Sequence, residues 1–320
     1  MFKYIVKKVL GMIPMLFIIT FIIYFLLDLT PGDSVSYLMD PESLARLSEE
    51  QLFALRETYG LNDSFIVRYF KWIGQLLQGN FGYSASSGVA VIDIIKQTLP
   101  ATLELSAAAL VISTVLGSVL GVLGAIRRGS IEDNIMTIAG MIGVSIPQFF
   151  FGMVAILIFA LNLEILPVGG RMAPGMEGFF DRIEYLVLPS IVLGLSMTAG
   201  VMRYSRTSML NTMNKEYIKT ARSKGLPEWR VNLVHGFRVA LTPVIVLISF
   251  RLPTLIAGSV VIETIFQWPG VGNVFNTAIR SANYNLVMII ALMFVTMVLV
   301  ASTLVDVLTA VLDPRVKLDK

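Results

Sequence analysis

Long apolar runs free of charge constrain this chain more than any other feature. Residues 9–27, 105–126, 135–163, 185–202 and 286–305 contain no Asp, Glu, Lys or Arg, and a sixth run, 239–262, is interrupted only by Arg251. About 18 or more apolar residues wound as a helix match the hydrocarbon thickness of a bilayer. Lipid offers no partner to a backbone N–H or C=O, so a run of this kind spans as a helix that satisfies itself. The runs therefore predict an all-α integral membrane chain with six transmembrane helices. Composition agrees: 55% of the 320 residues are hydrophobic and only 15% charged.

Basic residues set the expected orientation. Lys3, Lys7 and Lys8 precede the first run, and Arg127 and Arg128 follow the second. Arg203, Arg206, Lys215, Lys219, Arg222, Lys224, Arg230 and Arg238 follow the fourth, and Arg315, Lys317 and Lys320 follow the sixth. The other side carries half as many over longer loops: Arg46, Arg56, Arg68, Lys71, Lys96, Arg171, Arg182 and Arg280. The positive-inside rule then puts both termini in the cytoplasm. The net charge of +3 has the same origin, so it does not read as nucleic-acid binding. The first run is too long for a signal-peptide core and lacks a small-residue cleavage site, so it reads as an uncleaved anchor.

Several chemistries lack their residues. There is no cysteine and a single histidine, His235, so thiolate sites, disulfides and histidine clusters are excluded. No HExxH and no GxxxxGK[ST] occurs, so the chain carries neither a zincin site nor a phosphate-binding loop. An ion-coupled secondary transporter needs titratable groups near the bilayer midplane and usually an internal repeat. Here one arginine, no carboxylate and no evident repeat are found there.

Three segments follow: 1–29 with the first span, an extracytoplasmic helical loop at 30–98, and a core of five spans at 99–320. In the outer loop Ser48-Glu-Glu-Gln51 has the form of a capping box, with Leu52, Leu55 and Tyr59 on one face and Gly60 as the stop. A second helix is expected from Ser64 to Gly79, where Tyr69, Phe70 and Trp72 beside Arg68 and Lys71 suit the headgroup layer. Asn80 to Gly88 reads as a loop. The segment is either a cap over the outer mouth that receives a partner or an interfacial spacer. Gly117 and Gly121 in the second run allow close helix contact. Pro147 and Pro189 are candidates for bends. Asp28, Glu104, Glu263 and Asp306 fall near span ends, within reach of headgroups or water. Arg251 falls mid-run, where it either borders a translocation cavity, with Gly258 and Ser259 nearby, or bonds backbone carbonyls.

Between the fourth and fifth spans, residues 203–238 form a polar, basic loop with helical periodicity. Gly225-Leu226-Pro227 breaks it. Gly225 permits a left-handed helix end, Pro227 fits the first turn of the next helix, and Glu228 sits near that helix's positive end. Ala221 and Gly225 are four apart, which predicts one nearly bare face able to approach another surface. The loop otherwise offers few apolar anchors. His235 among basic residues reads as a structural, hydrogen-bonded side chain.

Lys219-Thr220-Ala221-x-x-x-Gly225 resembles the EAA loop of ATP-binding-cassette importer permeases, whose Glu-Ala-Ala-x-x-x-Gly core docks on the ATPase. The Gly-Leu-Pro break, His235 ten residues on, and Ala240-Leu-x-x-Val244 are similar to the branch that imports peptides and nickel. Val261-Ile-Glu-Thr-Ile-Phe-Gln-Trp-Pro-Gly-Val-Gly272 and Leu304-Val-Asp-Val-Leu-x-x-Val-Leu-Asp-Pro-Arg315 resemble its signatures after the fifth and sixth spans, and Ile13-Pro14 with Leu29-Thr-Pro-Gly-Asp33 resemble its first-span pattern. Lys219-Thr220 replaces the general Glu-Ala, and the general Ile-x-Leu-Pro ending is replaced around residues 235–238. The resemblance implies a type I importer permease fold with a cytoplasmic coupling-helix hairpin, in a bacterial or archaeal cell membrane. It implies coupling through Lys219, Thr220, Ala221, Gly225, Leu226, Pro227 and Glu228. It implies a homologous second permease, two ATPase subunits that hold the ATP and Mg, and an extracytoplasmic substrate-binding protein. No cofactor is expected in this chain, and its expected surroundings are lipid. Peptides are the expected cargo, with nickel, glutathione or oligosaccharide as the alternatives within the family.

Overall fold

Helices account for nearly all of the regular structure, as lipid-facing apolar sequence requires. The computed structural model describes residues 2–29, 46–58, 62–173, 175 and 178–312. In order, α1 is Phe2–Asp28, α2 Glu49–Thr58, α3 Phe65–Leu77, α4 Val91–Ile126 and α5 Ile131–Ser145. Next, α6 is Gln148–Ala155, continued by a wider π-helical stretch, Ile156–Asn162. Then α7 is Phe179–Met213, α8 Glu216–Ser223 and α9 Glu228–Arg230, which widens into the π-helical stretch Val231–Phe237. The last described elements are α10 Arg238–Ile265, α11 Val271–Arg280 and α12 Tyr284–Leu312. Tyr59 and Gly60, Leu29-Thr-Pro-Gly-Asp33 beyond Leu29, and Asp313-Pro-Arg315 lie outside the described residues.

Among the described residues, four helices are long and apolar enough to cross a membrane: Ile5–Asp28, Val91–Ile126, Phe180–Met213 and Tyr284–Val307. A fifth crossing arises if Ile131–Gly143 and Gln148–Asn162 act together, at 101° to each other. The sequence run 135–163 is thus not one straight helix. Pro147 has no N–H to donate and disfavours the helical conformation at Ile146, which is extended at φ −81°, ψ 125°. Run 239–262 lies within the 28-residue α10.

The bundle is built on α4 against α7. A Cβ on Gly117 would lie 2.6 Å from Val201 Cβ, and one on Gly121 2.7 Å from Ser205 Cβ. These glycines bring two backbones closer than any side chain allows. Around this seam Leu105, Ala109, Val192, Leu193, Leu255, Ile262, Phe266 and Trp268 belong to the largest buried cluster among the described residues. At one end of the bundle, Arg206 on α7 grips Asp133 on α5 through Nε (2.8 Å) and Nη2 (2.7 Å). Lys8 meets Asp306 at 2.6 Å, joining α1 to α12.

The opposite end carries α3. Phe65, Tyr69 and Trp72 of α3 turn onto Phe21, Tyr24 and Phe25 of α1, with ring centroids 5.3–5.7 Å apart. The Tyr69 hydroxyl reaches the Phe17 carbonyl at 3.0 Å, and Arg68 pairs with Asp28 at 2.6 Å. Ser48 and Gln51 exchange the two bonds of a capping box (2.9 and 3.2 Å) at the start of α2. The loop before α4 is pinned to the start of α12, with Asn283 Nδ2 donating to Ser84 Oγ at 2.7 Å. Glu263 is not within reach of water: it is fully buried and accepts the Asn273 N–H at 3.1 Å, so it caps the N-terminus of α11. Beside it the Trp268 indole donates to Ala101 O (2.8 Å) and Thr102 Oγ1 accepts from Val271 N–H (2.8 Å). Glu104 is also paired, with Arg171 at 2.5 Å.

Candidate functional site

The 35-residue α7 continues past its apolar stretch and delivers the chain directly to the hairpin. Lys215 precedes α8 without a side-chain cap bond, and Glu216 stands in its first turn, where the helix end favours a carboxylate. Ile218 and Val231 are fully buried and Ala221 nearly so, with Met213 and Leu226 packed around them. This small core fixes the angle between α8 and α9.

The turn itself is a Schellman closure. Leu226 N–H reaches Ala221 O at 3.4 Å, and Gly225 N–H reaches Arg222 O at 2.9 Å. That geometry needs a left-handed residue at Gly225, whose φ is +75°. Pro227 then sets φ −64° ahead of α9. Arg222 spans the turn to both oxygens of Glu228 (2.9 and 3.3 Å), and Lys219 meets Glu216 at 2.8 Å. All four side chains are exposed, so these pairs add little stability.

Ala221 and Gly225 do not share an outward face. The helix has ended before Gly225, so the spacing of four no longer places the two together. Ala221 turns into the hairpin core, while Gly225 is exposed with nothing within 4 Å of a built Cβ. Lys219, Thr220, Pro227 and Glu228 are exposed and Leu226 half-buried. Two outward anchors escaped sequence reasoning. Trp229 is 60% exposed, with the Arg230 guanidinium 5.8 Å from its ring, and Tyr217 is also exposed. The only signal for Trp229 was an aromatic set in a basic loop. The tip is therefore cationic and aromatic. Among the described residues no group of His, Asp and Glu is placed to hold a metal.

The expected translocation residues all fall on α10. Ser259 is fully buried within the chain, so it does not line an open path in this conformation. The side-chain surroundings of Arg251 and of Gly258 lie outside the described part of the structure. His235 sits half-buried in the π-helical stretch behind the hairpin.

Comparison with known proteins covers nearly the whole chain. Residues 113–318 match the family described as binding-protein-dependent transport system inner membrane component, and residues 1–106 match the N-terminal region of such membrane components. The oligopeptide transport system permease protein AppB of Bacillus subtilis is 38% identical over 319 residues, covering 99% of this chain and 100% of that protein. The dipeptide transport system permease protein DppB of Escherichia coli K12 is 32% identical over 339 residues, covering 99% of each. The di/tripeptide transport system permease protein DppB of Pseudomonas aeruginosa is 33% identical, again over 99% of each. The hairpin lies inside the larger matched region, and the chain belongs to the family of inner membrane components of binding-protein-dependent transport systems.

Proposed function

We propose that this chain is one of two permease subunits of an ATP-driven peptide importer. Full-length similarity to proteins named as oligopeptide and dipeptide permeases supports the cargo. A homologous permease completes the pore, two ATPase subunits hold ATP and Mg, and an extracytoplasmic binding protein delivers the peptide. The chain itself carries no catalytic residue. The observation that carries the coupling role is the hairpin, a fixed tip with Trp229 and Tyr217 exposed among cations. Lys219, Thr220, Gly225, Leu226, Pro227 and Glu228 present that tip, and Ala221 supports it from inside. ATP binding closes the ATPase dimer, which binds the hairpin differently in the two pore states and so shifts their populations.

Parity supports six crossings. Asp133 and Arg206 meet at one end, so the chain between them crosses an even number of times. Since α7 is one crossing, α5 and α6 together supply the other. Ser84 and Asn283 meet at the opposite end. Between them α4, the broken pair and α7 make an odd number, so α10 supplies another. With α1 and α12 the total is six, and positive charge places the hairpin and both termini in the cytoplasm.

The test is purification of the whole complex bearing Gly225→Arg or Trp229→Ala, with ATPase retention and peptide uptake measured together. Both variants are expected to insert normally and lose ATPase. Normal retention and uptake in both would remove the hairpin as the docking element. Stimulation of hydrolysis by binding protein loaded with nickel, and not by peptide-loaded protein, would replace the cargo.

A further inference from the structure

Force applied at the hairpin enters α10, which continues α9 without a break, and α7, because Met213 is joined to α8 through only Asn214 and Lys215. From α7 it passes to α4 along the glycine seam, where backbones touch and slippage is barred by contact. The route to α5 is different. Among the described residues, the bonds from Arg206 Nε and Nη2 to Asp133 are the hydrogen bonds that join α5 to α7. The Asp133 side chain is only 4% exposed, so solvent does not compete for it. The residue also organises the α4–α5 turn: Oδ2 accepts from the Gly129 N–H at 3.0 Å, while the backbone N–H of Asp133 donates to Ser130 Oγ at 3.2 Å. Beyond this point α5 runs to the break at Ile146 and Pro147, and α6 after it has its own bond to α7, from Gln148 Nε2 to Ser196 Oγ at 2.9 Å, so the pair at Asp133 governs α5 ahead of the break.

We propose that the Asp133–Arg206 pair is the joint that makes α5 follow α7, so that hairpin motion is carried into the broken α5–α6 span. Both are positioning residues, and neither touches peptide or nucleotide. A two-pronged bond to a buried carboxylate transmits rotation as well as translation, because a guanidinium and a carboxylate fix each other's plane. A single point contact would let α5 swivel. Without the pair, the hairpin still binds and the ATPases still turn over, but the span lags and peptide is not released in step. The inference rests on the importer reading above.

The chain has no cysteine, so a covalent substitute for the joint can be introduced alone. A Cβ built on Gly140 of α5 lies 3.6 Å from Ala199 Cβ of α7, within disulfide range, with only the flexible end of Met202 to move aside. The experiment measures labelled-peptide uptake per ATP hydrolysed by the whole complex in proteoliposomes, with its binding protein present. Arg206→Gln leaves the Asp133 contacts to Gly129 and Ser130 in place, so it removes the joint and spares the turn. Asp133→Ala removes the joint and the Gly129 contact, and keeps the backbone bond to Ser130. Each is expected to keep complex yield and hydrolysis while uptake per ATP falls about tenfold, the scale of a typical coupling energy. Adding Gly140→Cys with Ala199→Cys and oxidising is expected to restore coupling to Arg206→Gln, and reductant to abolish it again. Unchanged coupling in Arg206→Gln overturns the proposal, and so does a loss that the oxidised bridge fails to restore. Wild-type complex is the control for the underlying reading: absence of ATP-driven uptake there would reject the importer function itself, whatever the variants do.

Discussion

Gly225 and Gly121 are small for opposite reasons. Gly225 stands in open space, and its φ of +75° is what a side chain resists. Gly225→Ala is expected to cost about 1 kcal/mol. It should show as faster amide exchange in α8, with Gly225→Asn milder because Asn tolerates the left-handed region. Gly121 has an ordinary helical backbone, but its Cβ would meet Ser205 Cβ at 2.7 Å and the Arg206 backbone nitrogen at 2.9 Å. Gly121→Ala must push α4 from α7 and is expected to cost at least about 1–3 kcal/mol, read as a lower inactivation temperature of the purified complex. Gly143→Ala, with nothing within 4 Å, is the control and should be neutral or slightly stabilising. The sequence marked Gly117 and Gly121 as a close-packing pair and Gly225 as a helix end. It could not show that Ala221 points inward, because that depends on α8 ending before Gly225.

At the scale of elements, the hairpin separates support from contact. Ile218 is fully buried within it and Trp229 is exposed on it. Ile218→Ala is expected to cost about 2–5 kcal/mol of local stability. It should lower ATPase retention while making the hairpin protease-sensitive. Trp229→Ala should lower retention with protease resistance unchanged. Equal protease sensitivity in the two variants would mean that Trp229 holds the hairpin together and does not meet a partner. The turn was legible because its Gly-Leu-Pro and flanking charges follow local backbone rules. The α5–α6 break was only half legible. Pro147 announced a bend, but a charge-free run reads the same whether the helix is straight or broken, since lipid tolerates the broken form where neighbours satisfy its backbone. Glu263 was misread for a related reason: proximity to a span end says nothing of the fold of the next turn, and here α11 closes over the carboxylate.

For the whole molecule, apolarity shows which segments can enter a bilayer, and long-range pairs limit how often they cross. The six-span arrangement hangs on whether α5 and α6 together cross or turn back. Single cysteines decide it, because the chain has none of its own. Tyr83 lies in the loop before α4 and is 68% exposed, while Trp229 is exposed at the hairpin. Between them lie α4, the broken pair and α7. Three crossings put the two positions on opposite sides, whereas a re-entrant pair puts them on the same side. Tyr83→Cys is expected to react with an impermeant maleimide in intact spheroplasts, and Trp229→Cys only after permeabilisation. Labelling of both from outside would make the pair re-entrant and break the parity set by Asp133–Arg206. The reverse pattern would keep six crossings and invert the chain, against the orientation proposed from its basic residues.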